Sequence, residues 1–508
     1  MAFPGACALR KQGSMAGICL LMGVLMALNA TSCTRAETVV GISGKRFTIN
    51  GSDTFTAASG FPNAHPSIAG KVIMIKTPNC VFDDENYPDQ GSRENPYGNI
   101  SWDYPDGPWD PGRNTSEFIR NLPKWHAYGV RFINVNLQGN TPAGNSRSHR
   151  WKVAPWNDDG SLKAEYADRL GRVLEAADGL GMVVLVGIFY PNQLANLPGT
   201  DDATIRKCIL SAMAFLTETG HRNVLVEISH DSDHPAYKKT LASDDRMDEA
   251  ISYARRVSDG RFLVGSDCNA RVPDSLISAA DFFMILSANE PPGKVGARIS
   301  AVASKAGNKP TFAREACSTL SMERGMETGS GWAIYHQGAN NYASGIQAVP
   351  TNWDPMSSPG KWNIAHQIAQ VTGSPLPARR PADLTDSPKC SIRGLADGEV
   401  VRDPSDYTIK VATPETLRAD GLDYTLIRIE YFIDGRAVAY SGFSKKVRAS
   451  HFTLSGSDLE SGPFGFRFRD LPDGKHTLTA LPYYRDLYAE RTGGTADVTF
   501  ITDFGNPP

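Results

Sequence analysis

The chain of 508 residues predicts an α/β protein: a closed (β/α)8 barrel followed by an all-β sandwich domain. Two observations carry this. Short apolar runs start near Phe47, Val130, Met182, Asn223, Phe262, Asp281, Pro310 and Gly331, with helical periodicity between several of them. Apolar strands alternating with helices over short connections are the signature of a parallel sheet, and eight strands close a barrel. Past a Pro-rich break the helical period disappears and strand patterns take over.

The elements follow in order. Arg10 and Lys11 precede a 13-residue apolar run, Ala16 to Leu28, and then Ala30-Thr31-Ser32-Cys33. Such a run is shorter than the roughly 20 residues a membrane helix needs, so residues 1–33 read as a signal peptide. A small-residue run ending on Cys resembles a bacterial lipoprotein cleavage site. That resemblance implies lipidation of Cys33, with plain secretion as the alternative. The protein is expected to be exported, to the cell envelope or beyond, and to meet a membrane only through that anchor.

The barrel is expected over 40–375. Phe47-Thr48-Ile49 with its Asn50-Gly51 turn is read as the first strand. Asn79 to Asn114, crowded with Pro, Gly, Asp and Trp, reads as a long first loop beside the cleft. Helix Glu117 to Tyr128 stops at Gly129 before strand Val130 to Leu137. In Ser161 to Gly181, Tyr166, Leu170, Val173, Leu174 and Ala177 recur on one helical face, and strand Met182 to Tyr190 follows. Helix Ala203 to Gly220 feeds strand Asn223 to Ile228, and helix Asp245 to Asp259 feeds Arg261 to Asp267. Phe282 to Leu286, Lys309 to Glu315 and Gly331 to Tyr335 complete the set. Residues 376–390 read as a Pro-rich linker. In 391–508 the runs Leu426 to Ile433, Ala437 to Tyr440, Phe464 to Asp470, His476 to Pro482 and Ala496 to Thr502 read as sandwich strands.

The formal net charge is −3, the sequence pI is about 6.4, and no basic block occurs. Nucleic-acid binding needs a concentrated positive footprint, so that class is excluded. Five of the cysteines, Cys80, Cys208, Cys268, Cys317 and Cys390, fall after Cys33. Their wide spacing and odd number predict neither a disulfide framework nor a zinc site. Cys317 has no His near it in sequence to activate it as a nucleophile. No cofactor is expected.

Residues just past the C-terminal end of a barrel strand face the active site. The run Asn223 to Ile228 breaks there into Ser229-His230-Asp231-Ser232-Asp233-His234, and the run from Lys309 ends on Arg314-Glu315. Two carboxylates at two strand mouths suit sugar cleavage: one protonates the leaving oxygen, the other attacks the anomeric carbon or activates water. His230, Asp231, Asp233 and His234 could also ligate a metal, yet no distant third ligand can be named, so no metal site is expected.

Arg113-Asn114-Thr115, Trp125, Asn134 to Gly139, Asn223 to Ile228, Lys309 to Glu315 and Gly331 to Tyr335 carry a resemblance. From about Phe47 to Gly373 the chain resembles the bacterial TIM-barrel glycoside hydrolases of the cellulase-like, clan A-type group. In that group the acid/base and nucleophile follow strands four and seven. The resemblance implies Asp231 as acid/base and Glu315 as nucleophile. It also implies a carbohydrate substrate held by Gln138, Tyr190, His230, Trp332 and Tyr335. Three motifs depart from the pattern. His230-Asp231 and Arg314-Glu315 each stand where the group carries Asn-Glu. Ser287-Ala288-Asn289, after the sixth strand, offers no His or Tyr to hold the nucleophile. Asp is one methylene shorter than Glu, so a retaining pair is expected with an inverting one open. The alternative is a catalytically inactive barrel that binds carbohydrate or a cell-surface partner. Asp473 to Leu478 resembles a motif of immunoglobulin-like sandwiches appended to secreted hydrolases, which implies sugar binding or bracing of the barrel. Bracing is favoured because no aromatic platform stands out.

Overall fold

The computed structural model describes residues 37–87, 103–139, 152–268, 272–286, 292–316, 322, 325–326, 328–336, 342, 345–347, 349–378, 381, 389–419, 422–442, 453–455, 467–485 and 490–507. Cys33, Asn289, Cys317 and most of the expected linker lie outside the described residues.

Strands β1 (Val40–Ser43), β2 (Arg46–Ile49) and β3 (Ser52–Asp53) form a small antiparallel sheet ahead of the barrel. Phe47 therefore does not start the first barrel strand, contrary to the sequence expectation. Its buried ring packs edge-on against Phe132, Phe282 and Phe312, with centroids 6.1, 5.7 and 6.2 Å away. Those three rings sit at the start of their strands, so Phe47 plugs the barrel's N-terminal end.

Eight parallel strands close on one another in chain order: β4 (Ile73–Lys76), β5 (Phe132–Asn136), β6 (Val183–Phe189), β7 (Val224–Ser229), β8 (Leu263–Cys268), β9 (Phe283–Leu286), β10 (Thr311–Ala316) and β11 (Gly331–Ile334). β11 pairs back onto β4 and completes the ring. The true first strand is Ile73–Lys76, which with Val72 before it is wholly buried. Four apolar residues carry no period, so nothing in the sequence distinguishes this run from a loop segment.

Among the described residues seven α-helices lie in chain order: α1 (Pro111–Ala127), α2 (Ala164–Asp178), α3 (Asp202–Glu218), α4 (Met247–Val257), α5 (Asp274–Ala279), α6 (Pro292–Lys305) and α7 (Pro359–Thr372). α1 starts inside the stretch read as loop. The Asp110 carboxylate accepts from the Arg113 amide at 3.0 Å, and Pro111 takes the first helical position. Both features satisfy or remove amides that a helix start leaves unpaired. α2 buries Tyr166, Leu170, Val173, Leu174 and Ala177, the face its spacing marks.

The C-terminal β domain holds two sheets. β12 (Ser391–Arg393), β14 (Thr408–Ala412) and β18 (Thr453–Ser455) form one. β13 (Glu399–Val401), β15 (Thr416–Ala419), β16 (Leu422–Ile433), β17 (Arg436–Gly442), β19 (Gly474–Arg485), β20 (Glu490–Thr492) and β21 (Ala496–Thr502) form the other. Ile409 and Val411 of the small sheet share a core with Ile429, Tyr431, Leu478 and Phe500 of the large one, which makes a sandwich. Phe468–Asp470 is a 3-10 turn rather than part of a strand.

The outer face of the large sheet meets the barrel through α7. Phe432, Ala437, Leu481 and Tyr483 form a second apolar cluster there, and the Ala437 amide donates to Gln367 Oε1 at 3.3 Å. α7 is buried on nearly every side, as a helix between two layers must be. Gly435 sits at φ +80°, and a Cβ there would stand 2.5 Å from the His366 ring.

Candidate active site

The candidate functional side chains come from six strand ends. Lys76 ends β4, Tyr190 follows β6, His230 and Asp231 follow β7, Asp267 lies near the end of β8, Glu315 lies near the end of β10, and Tyr335 follows β11. All therefore face the same end of the barrel.

Glu315 is set by a bulge. On β10, Ala313 pairs with Trp332 and Ala316 with Ile334, so β10 carries one residue more than β11 across this stretch. The surplus falls at Arg314-Glu315, where Glu315 adopts φ +61°. Bulges of this kind re-aim a side chain. Asp231 adopts φ +49°. A left-handed L-residue costs on the order of 1–3 kcal/mol and persists only where its surroundings over-determine it, commonly at functional sites. Both expected catalytic carboxylates carry this strain.

His230 stands between them. Its Nε2 lies 3.1 Å from Glu315 Oε1 and 3.6 Å from Asp231 Oδ1. Those two legs cap the separation of the carboxylate oxygens at about 6.7 Å. Retaining glycosidases need roughly 5–5.5 Å between their carboxyl groups, a separation that this cap on the Glu315 Oε1–Asp231 Oδ1 distance admits. The His230 amide donates to the Phe189 carbonyl at 3.0 Å, and its ring lies 4.9 Å from that of Tyr190.

Glu315, buried, also forms an ion pair with buried Lys76, whose Nζ lies 5.7 Å from the Tyr335 ring centroid. Deeper in the barrel, buried Arg314 places Nη1 2.6 Å from Glu227 Oε1 and 2.7 Å from Asp267 Oδ2. Asp267 Oδ2 also accepts from the Asp231 backbone amide at 3.0 Å, which pins Asp231 in its left-handed conformation. Gly187 permits this crowding, since a Cβ there would stand 2.4 Å from Asn136 Oδ1 and 3.5 Å from Glu227 Oε2.

Four acids thus share the space with Lys76 and Arg314. Burial raises the Asp231 carboxyl well above the usual range, and the negative charge of Glu315 adds to it. Burial likewise raises Asp267, with Asp231 the next cause, and raises Glu227 against the pull of Arg314. Burial lowers the Lys76 ammonium, although Glu315 draws it back up. About a quarter of the Asp231 side chain, 24%, is open, while its Oδ1 is shielded from solvent. A carboxyl raised well above its usual range therefore lies beside one paired with a cation, the asymmetry that an acid and a nucleophile require.

The other expected site residues divide. Tyr190 and Tyr335 sit at the mouth beside His230 and Lys76. Gln138 is engaged at both ends of its amide: Nε2 donates to the Gln193 carbonyl at 3.0 Å, and Oε1 accepts from the Tyr190 amide at 3.1 Å. Trp332 is fully buried in the barrel core. Lys76, Glu227 and Asp267 were not singled out from the sequence. Their signal was faint: each is a charged residue inside or closing an apolar strand run. Among the described residues no cluster of three or more His, Cys, Asp or Glu could hold a metal ion, and no helix is long and apolar enough to cross a membrane.

No protein-family model matches the chain, and no curated protein matches it. Among solved structures it is similar to a glycoside hydrolase family 5 protein from Bacteroides vulgatus ATCC 8482 at 12% identity and TM-score 0.43, covering 83% of this chain and 90% of that one. It is also similar to the endo-β-1,4-mannanase from Thermotoga petrophila (11%, TM-score 0.35, 77% and 95%) and to the β-mannanase from the blue mussel Mytilus edulis (12%, 0.39, 68% and 98%). The barrel rests on its own strand pairing.

Proposed function

We propose that this chain is an exported glycoside hydrolase that cleaves O-glycosidic bonds of an oligo- or polysaccharide with retention. The observation that supports this best is the pair Asp231 and Glu315, both left-handed, bridged by His230, with oxygens at most about 6.7 Å apart. Asp231, held protonated by burial and by the Glu315 charge, gives its proton to the leaving oxygen. Glu315 attacks the anomeric carbon to form a glycosyl ester. Asp231, now a carboxylate, then takes a proton from the water that hydrolyses the ester. Tyr190 and Tyr335 line the mouth where the sugar sits.

Export rests on the run Ala16 to Leu28, and a lipid anchor on Cys33. In a bacterial host labelled palmitate should enter the protein, and Cys33→Ala should abolish both labelling and membrane association. Unchanged labelling in that variant would leave plain secretion.

One observation favours a second reading, a barrel that binds carbohydrate without cleaving it: the Glu315 charge is already paired with Lys76. A panel of aryl glycosides and polysaccharides decides between them. Hydrolysis by the wild type that nearly vanishes in Glu315→Gln supports the enzyme. Sugar binding without hydrolysis by any form supports the binding protein.

A further inference from the structure

Lys76 has no part in the proton and bond changes assigned to Asp231 and Glu315, yet it is built into the site at some cost. It reaches from the end of β4 to a residue 239 positions away, and both partners are almost entirely removed from water. A buried ammonium is expensive unless paired, so its place beside Glu315 commits the carboxylate to being charged. Other charged or titratable groups around Glu315 are His230 and Asp231 from β7, Glu227 deeper on the same strand, Arg314 on its own strand, Tyr190 after β6 and Tyr335 after β11. Among the described residues Lys76 forms a direct ion pair with Glu315, and Arg314 contacts Glu227 and Asp267.

We infer that Lys76 is the counter-ion that keeps Glu315 ionised, and that it thereby opposes formation of a glycosyl ester at Glu315 and favours its release. The rate consequence rests on the glycosidase reading; the ionisation does not. In the first step an O–C bond forms between Glu315 and the anomeric carbon, the bond to the leaving oxygen breaks, and the Asp231 proton goes to that oxygen. The carboxylate charge disappears, so an ion pair with Lys76 opposes this step. In the second step water attacks the same carbon, its proton passes to Asp231, and the electron pair of the breaking ester bond returns to Glu315. The charge reappears beside Lys76, so the ion pair favours this step. With little water present to screen the pair, the bias is larger than it would be at the surface.

The test uses the full-length protein with Lys76→Met and Lys76→Gln, the second covering a failure of the first to fold. In the first arm the Glu315 carboxyl is titrated by NMR with carboxyl-labelled glutamate. Either variant should move its midpoint upward by about one unit or more. An unmoved midpoint overturns the inference whatever the protein's activity. The second arm uses a dinitrophenyl glycoside, whose leaving group makes the first step fast. The wild type should turn over faster in the steady state and accumulate less of the one-sugar adduct than either variant. The variants should give a burst of about one equivalent, a steady rate at least about tenfold slower, and a mass adduct of one sugar. A slowed rate with neither burst nor adduct makes Lys76 merely structural and overturns the rate consequence. A shifted titration with no glycoside cleaved by any form upholds the ion pair and counts against the glycosidase reading alone.

Discussion

His230 Nε2 stands 3.1 Å from Glu315 Oε1, which joins the mouth of β7 to the bulge of β10. An imidazole here does what neither an Asn nor a Gln could: one flat ring contacts Glu315, approaches Asp231 and lies against Tyr190. His230-Asp231 stands where the resemblance implies Asn-Glu.

His230→Ala removes that bridge while leaving both carboxylates. Small misplacements of reacting groups cost about 10²-fold. kcat/KM on any accepted aryl glycoside should fall by about that factor, with the fold unchanged by circular dichroism. A loss below about threefold would mean the imidazole holds nothing.

Arg314→Met strands Glu227 and Asp267 without their shared cation. Breaking a buried ion pair by removing one partner costs about 3–5 kcal/mol. Urea unfolding should place the variant that far below the wild type. Its Asp231 should also loosen, because Asp267 then loses the group that orients it.

The stability that Asp231, Asp267 and Glu227 contribute should fall as the pH rises above the ordinary carboxylate range. Asp231, Asp267 and Glu227 have carboxyls raised by burial in the folded state, so the fold holds protons that the unfolded chain has already released. Stability from such groups is complete below the ordinary carboxylate range near 4 and is lost as the pH rises through the folded values. Calorimetry across this window should show a declining Tm, with a shallower decline in Asp231→Asn. A Tm that climbs with pH would mean these carboxyls are ionised in the fold.

The barrel was legible because its long elements carry a period. α2 lies within the helix that Tyr166, Leu170, Val173, Leu174 and Ala177 mark, and Val183 to Phe189 follows it as a fully buried strand. The first strand was misplaced because Phe47 has the apolar alternation of a strand while its job is to plug the barrel's end. The carboxylates at Asp231 and Glu315 could be found because the ends of β7 and β10 are where polar residues interrupt apolar runs. Lys76, Glu227 and Asp267 could not. Their importance comes from neighbours brought together only by closure of the sheet, and from burial that a sequence does not express.

The β domain should depend on the barrel for one of its faces. Gly435 lies against His366 of α7, and the cluster of Phe432, Ala437, Leu481 and Tyr483 covers the same junction. Gly435→Ala adds a Cβ at φ +80° and 2.5 Å from that ring, so the intact protein should lose about 1–3 kcal/mol. A fragment starting at Lys389 should still unfold cooperatively around its own core, while binding a hydrophobic dye that the whole chain does not bind. A fragment that never folds would make the two parts one cooperative unit.

The central claim is that Glu315 attacks sugar. Incubating the wild type with 2-deoxy-2-fluoro aryl glycosides of several sugars slows release of any covalent intermediate enough for mass spectrometry. One member of the panel should add a single sugar mass, located by peptide mapping at Glu315 and missing in Glu315→Gln. Hydrolysis of ordinary aryl glycosides that continues in Glu315→Gln, or a sugar found on any other residue, would contradict the account.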